Sequence, residues 1–106
     1  KSTARSYAVK AAGLDGSKAA DAYSLIGDLY MGSFNDCKAA NIVDSRAVYI
    51  AAYDMYKKAG NTAKMASAKE QFPSLEEIIT HGKKEGDNVT ISCWINETVT
   101  LQRRPQ

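Results

Sequence analysis

The sequence predicts a mainly α-helical chain, about five helices packed as antiparallel neighbours and closed by a two-stranded β-hairpin. Three observations predict it. The first two-thirds is rich in alanine, with large side chains recurring at spacings of three and four. Glycine, Asn-containing turns and one internal proline, Pro73, divide that stretch at intervals suited to short helices. After Gly86 the period falls to two and β-branched residues accumulate, the pattern of half-buried strands.

The first helix runs from Ser2 to Ala12, with Ala4, Ala8, Ala11 and Ala12 on one side. Gly13 ends it, because glycine tolerates the positive φ of a helix C-cap. Leu14-Asp15-Gly16 makes a turn, and Ser17 is a candidate N-cap. From Lys18 to Met31 the residues Ala22, Leu25, Ile26, Leu29 and Tyr30 form an apolar stripe that Ala19 and Tyr23 widen. Gly27 lies in the middle of this helix at a cost of about 1 kcal/mol relative to alanine. Such a cost implies that a neighbouring helix crosses closely there.

Gly32 to Val43 has no clean period and reads as a loop. Asp44 or Ser45 caps the next helix, which reaches Ala59. Val48, Ala51, Ala52, Met55 and Ala59 form one stripe, flanked by Tyr49, Tyr53 and Tyr56. Gly60-Asn61 ends it. Thr62 to Phe72 is a shorter helix carrying Met65, Ala66, Ala68 and Phe72, and Pro73 stops it. Ser74-Leu75-Glu76-Glu77 is a capping box, in which Ser and Glu each satisfy the other's free backbone N–H. A short helix with Leu75, Ile78 and Ile79 follows and ends at Gly82.

In the last segment Val89, Ile91, Cys93 and Ile95 alternate with Thr90, Ser92 and Trp94. Val99 and Leu101 then alternate with Thr98 and Thr100, and Asn96-Glu97 separates the two runs. Asn-Glu does not fix a two-residue turn, so the register stays open, and a one-residue slip would exchange the faces. A two-stranded hairpin is marginal alone in water and must borrow an apolar surface. Trp94 and the hairpin's apolar residues are therefore expected to cover the end of the final helices, shielding Ile78 or Ile79.

The 106 residues suit a single domain, with 1–86 the helical region and 87–104 the hairpin cap. Fourteen Lys and Arg against twelve Asp and Glu leave a net charge of +2, and no block of like charge exceeds a pair. That distribution lacks the basic stripe of a nucleic-acid binder. No apolar run approaches the length needed to span a bilayer, and residues 1–12 lack the apolar core of a signal peptide. With no initial Met, the sequence reads as a mature or excised piece.

Ala20-Asp21-Ala22-Tyr23-Ser24-Leu25-Ile26-Gly27-Asp28-Leu29-Tyr30 resembles the first helix of a tetratricopeptide (TPR) repeat, with Tyr23, Ile26, Gly27 and Tyr30 on its signature positions. Ala4, Ala8 and Ala11 match the small positions of a preceding second helix, and Ala47 and Ala51 those of the partner helix 44–59. Leu14-Asp15-Gly16 stands where the repeat has its Asp-Pro turn. The pattern departs from the family where Tyr replaces Trp, Gly16 replaces the turn proline, and residues 32–43 lengthen the intra-repeat loop. Phe72-Pro73-Ser74, Glu76-Glu77-Ile78, Lys84-Glu85-Gly86 and Cys93-Trp94-Ile95-Asn96-Glu97-Thr98 resemble the C-terminal ends of Gram-negative envelope TPR proteins. That likeness implies a periplasmic or outer-membrane-associated parent, with the hairpin as the terminal cap that solenoids need. In such a compartment Cys37 and Cys93 are disulfide candidates. Two reduced cysteines, one of them buried in the hairpin, is the other reading.

The residues point to no catalytic site. His81 is the single histidine, and its place at a helix C-terminus suits the dipole. The acidic residues Asp15, Asp21, Asp28, Asp36 and Asp44 are spread along the chain rather than spaced as a calcium loop, so no metal and no cofactor is expected. Asn88-Val89-Thr90 and Asn96-Glu97-Thr98 match the glycosylation sequon, a match that Thr-rich strands generate readily. The resemblance implies a non-catalytic protein-interaction scaffold, the terminal part of a TPR array, with a protein or peptide partner. The outward positions of its first helix would be Asp21, Ser24, Asp28 and Met31, a mildly acidic patch suited to a peptide with a basic residue or two. The alternative is a structural homo-oligomerisation module using that helix or the hairpin edge. An enzyme acting on envelope polymers is a third reading, with only compartment in its favour.

Overall fold

A computed structural model describes residues 2–12, 16–39 and 41–105, with the backbone course alone for Ser2, residues 11–12 and residues 16–18. Five helices, α1 (Ser2–Ala12), α2 (Gly16–Met31), α3 (Ile42–Ala59), α4 (Thr62–Lys69) and α5 (Leu75–Thr80), precede two strands, β1 (Asn88–Ile91) and β2 (Glu97–Thr100). The chain is thus mainly helical with one small antiparallel sheet. The expected turn at Leu14-Asp15 and the side chains of Ala11, Ala12 and Ser17 lie outside the described residues. Ser17 stands within α2 rather than before it. Among the described residues no helix is long and apolar enough to cross a membrane.

At the centre stands α3. Its buried residues Val43, Ala47, Val48, Ile50, Ala51, Ala52, Met55 and Tyr56 exceed a single stripe, because α2, α4, α5 and both strands all pack around it. The alanines let these neighbours approach. Gly27 and Asp28 of α2 meet Tyr56, while Ser24 meets Asn61, so α2 and α3 run antiparallel. A Cβ built on Gly27 would lie 2.5–2.9 Å from three atoms of the Tyr56 ring. The close crossing expected from this mid-helix glycine is therefore present.

Two further helix boundaries differ from the sequence reading. Asn41, not Asp44 or Ser45, caps α3: its side-chain oxygen accepts from the Asp44 N–H at 2.9 Å. Ser45 is buried, and its hydroxyl accepts from the Ala39 N–H at 2.9 Å, which ties the preceding loop to α3. The fourth helix stops at Lys69 instead of Phe72, and Phe72 turns inward to meet the Tyr53 ring edge-on at 5.4 Å. At α5 the capping box forms as expected, Ser74 and Glu77 exchanging bonds of 2.8 and 3.1 Å. The backbone bond to Ser74 is the main reason that the Glu77 carboxyl sits below its ordinary pKa, burial opposing it.

The hairpin pairs Val89 with Val99 and Ile91 with Glu97. Its connection is longer than expected: residues 92–96 leave the ladder, and Asn96 adopts φ 48°, a left-handed conformation that Asn tolerates better than most residues. Ile95 is buried within this connection rather than in a strand. Cys37 and Cys93 are joined by a disulfide, which ties the 32–41 loop to the hairpin.

The hairpin does not cover the final helices as expected. Its strands lie on α3, and Trp94 packs on Tyr30 with ring centroids 5.6 Å apart, its Nε1 donating to Ser33 Oγ at 3.2 Å. Ile78 is buried, but Ile79 is 64% exposed. The long central helix offers a larger apolar surface than the six-residue α5, so the sheet settles there. The tail after β2 reaches the α4–α5 junction, where Arg104 donates to the carbonyls of Phe72 and Pro73 at 2.9 and 2.8 Å.

Candidate functional site

Between α1, α2 and the hairpin connection lies a cleft of about 620 Å³. Arg5 of α1 closes one end of it. Its guanidinium donates to the Tyr30 hydroxyl at 3.3 Å and to the Ile95 carbonyl, and stands 5.2 Å from the Trp94 ring centroid. A planar cation that donates in its plane and stacks on its face can hold three elements at once. Burial pushes the Tyr30 phenol up to about 12; Arg5 opposes the rise and Glu97 reinforces it. Tyr30 therefore stays a neutral acceptor for Arg5 across the physiological range.

The floor of the cleft is apolar, formed by Ile26 and Met55. Its rim is cationic: Lys10 is exposed on α1, and Lys58 at the end of α3 places its Nζ 5.6 Å from the Tyr23 ring centroid. A second groove of about 440 Å³ shares Met55, Lys58 and Glu97 with the first and continues along β2 past Asp54 and Lys57. The combined groove carries four cations, Arg5, Lys10, Lys57 and Lys58, against two carboxylates, Asp54 and Glu97. Burial raises the Asp54 carboxyl above its ordinary pKa; Lys57 works against this and Glu97 adds to it. The net positive groove with an apolar floor can hold an extended acidic chain by charge and by side-chain burial.

The four residues expected to form an outward acidic patch have different surroundings. Asp21 is exposed. The hydroxyl of Ser24 accepts from Asn61 Nδ2 at 3.3 Å. Asp28 accepts from the Tyr56 hydroxyl at 2.6 Å and from Lys64 Nζ at 2.8 and 3.0 Å. Met31 is half-buried against the core. Asp21 and Asp28 are both exposed and Ser24 and Met31 half-buried, but Lys64 of α4 pairs with Asp28, so the patch carries less net negative charge than the sequence alone suggests. Burial raises the Asp28 carboxyl, but the bonds from Lys64 and Tyr56 outweigh it and hold the group below its ordinary value. Burial, and next the bond to Asp28, push the Tyr56 phenol upward.

His81 is the exposed C-cap of α5, its N–H bonded to the Glu77 carbonyl. Among the described residues no group of three or more His, Cys, Asp or Glu side chains could hold a metal ion. Sequence reasoning missed Arg5, Lys10, Lys57 and Lys58. Arg5 and Val9 share a face of α1, one turn apart, which was a weak local signal. The bond from Arg5 to Ile95 spans 90 positions and had none. Set against protein-family models, curated proteins and solved structures, the chain matches none of them.

Proposed function

We propose that the chain is a non-catalytic protein-interaction module, the terminal part of a TPR-like array, and that its partner is an acidic protein segment held in the groove between α1, α3 and the hairpin. The observation that carries this reading is the excess of cations around an apolar floor. Such a groove offers burial for a partner's apolar side chains and steering for its carboxylates. The TPR part rests on the Tyr23, Ile26, Gly27 and Tyr30 pattern, with Gly27 at the close α2–α3 crossing as that pattern implies. The disulfide between the 32–41 loop and the hairpin fits an exported parent in an oxidising compartment.

Selection from a displayed library of random octapeptides tests the reading. The expected outcome is enrichment of Asp and Glu among the selected peptides, lost when the target carries Lys10→Glu and Lys58→Glu. Peptides without acidic enrichment, or the same peptides selected by the charge-reversed protein, would overturn it. Concentration-dependent association in light scattering without peptide selection would favour the homo-oligomerisation module instead.

A further inference from the structure

Among the described residues the sheet consists of β1 and β2 alone, so each strand has one edge that no strand of this chain pairs. The two edges differ. Beside β1, residues 36–39 stand across a crevice of about 260 Å³ from residues 90–93, and the Cys37–Cys93 disulfide fastens them there. Beside β2 lies the open groove whose other wall is the end of α3, with Lys57 and Lys58 both exposed.

One hydrogen bond fixes which backbone groups face that groove. The Leu101 N–H donates to the Asp87 carbonyl at 2.7 Å, so Leu101 addresses β1. In an antiparallel pair alternate residues address the partner strand. Val99 and Glu97 therefore do so too, while Thr98 and Thr100 turn their N–H and C=O groups to the open side. Both threonines are exposed. Their four backbone groups form a template of the kind that extended peptides pair with.

We propose that the open edge of β2 takes an extended acidic segment of a partner protein as a third strand. This rests on the groove reading above and adds the conformation of the partner. Pairing with Thr98 and Thr100 supplies affinity that does not depend on sequence. Successive side chains of an added strand alternate in direction, so every second one faces α3, where Lys57 and Lys58 select carboxylates. Taken together, the continuous groove has four cations against the two carboxylates Asp54 and Glu97. That excess favours an acidic occupant over a second copy of this chain, since that copy would bring the same net positive groove to the seam.

The test uses the intact chain, labelled with nitrogen-15, and an acetylated, amidated octapeptide of alternating Glu and Val. Two further versions carry backbone N-methyl groups on either the Glu or the Val residues, and a fourth peptide replaces Glu with Lys. On binding the Glu peptide, the Thr98 and Thr100 amide protons are expected to exchange more slowly. One of the two N-methylated versions loses affinity by about tenfold or more, since only alternate residues pair with an edge. Thr98→Pro, which removes an edge donor, gives a similar loss, and the Lys peptide does not bind. The N-methyl comparison leaves the protein unaltered, so it stands even where the proline variant fails to fold.

Binding of the Glu peptide with unchanged exchange at Thr98 and Thr100, or equal affinity of all Glu versions, overturns strand addition and leaves an acidic partner held by side chains alone. No binding of the Glu peptide up to about 1 mM, or equal binding of the Lys peptide, also overturns it. Slow exchange at both threonines without peptide, in a chain that light scattering shows to be dimeric, assigns the edge to a second copy and refutes the proposal. The library selection judges the groove reading separately.

Discussion

Along α2 run two seams of opposite construction. Against α3, Gly27 brings the backbone so close to Tyr56 that a methyl group would lie within 2.5 Å of the ring, and the hydroxyl beyond that ring is bonded to Asp28 at 2.6 Å. Against α1 and the hairpin connection, the bridging side chain is the long cation Arg5, and a cleft of about 620 Å³ remains beside it. The two seams of one helix differ in how much space they leave. A glycine facing an aromatic ring closes a seam, so its contribution is to stability. A cation spanning a wider gap holds the walls in place while leaving the cleft open.

The largest expected effect tests whether the open seam depends on a distant fastening. Closing a loop across 56 positions contributes about 4 kcal/mol on the chain-entropy account. Reduction, or Cys37→Ser with Cys93→Ser, is expected to lower Tm by on the order of 20 °C. An unchanged calorimetric Tm under reductant would show that the hairpin is held by α3 alone. Next comes the closed seam itself. Gly27→Ala gains helix propensity, yet the Tyr56 ring, 3% exposed and bonded at its tip, has little freedom to move aside. The net loss is expected at about 2 kcal/mol in urea denaturation, and a gain in stability would show the seam to be looser than described. Tyr56→Phe keeps the ring and removes one bond to a charged group, so a smaller loss of about 1 kcal/mol is expected.

The smallest effects are those of pH, and the two carboxyls beside these seams have opposite signs. Asp28 has a lowered folded-state pKa, so its stabilisation is present above the ordinary value of 3.8 and is lost as pH falls through the folded one. Asp28→Asn should flatten the acid limb of the stability curve. Asp54 has a raised pKa, so its ionisation costs stability once pH rises above the ordinary carboxylate value, and the full cost is reached above the folded one. Asp54→Asn is then expected to stabilise the protein at pH 7 and to lose that advantage in acid. Chemical denaturation at several pH values measures both.

What was legible in the sequence was what local pattern determines. The stripe of α2 and the Ser74–Glu77 box lie within a few residues of their partners, so spacing was enough to read them. Gly27 was legible through its cost to its own helix, although the ring it faces, Tyr56, lies far along the chain on α3. The Asn41 cap was missed because Ile42 and Val43, both β-branched, masked the first turn of α3. The strand pattern ran too far because Cys93 and Ile95 keep the alternation after the ladder has ended at Ile91; the disulfide and burial of Ile95 explain those residues instead. The placement of Trp94 on Tyr30, and the groove that Arg5 and Lys58 line, follow from how distant segments pack. No local period encodes that packing. The charge of the α2 patch was overread for a related reason: the helix was right, but the pairing of Asp28 with Lys64, 36 positions away, is a tertiary fact.

On the function proposed above, the open seam binds and the closed seam holds the fold. The most direct test is the affinity of one library-selected acidic peptide for the Lys58→Glu protein, measured beside the Gly27→Ala protein at a temperature where both are folded. Lys58→Glu is expected to lose about tenfold in affinity with Tm nearly unchanged, and Gly27→Ala to keep its affinity while losing stability. Equal affinity for the Lys58→Glu and unaltered proteins, or a loss of binding in Gly27→Ala alone, would contradict the division between the two seams.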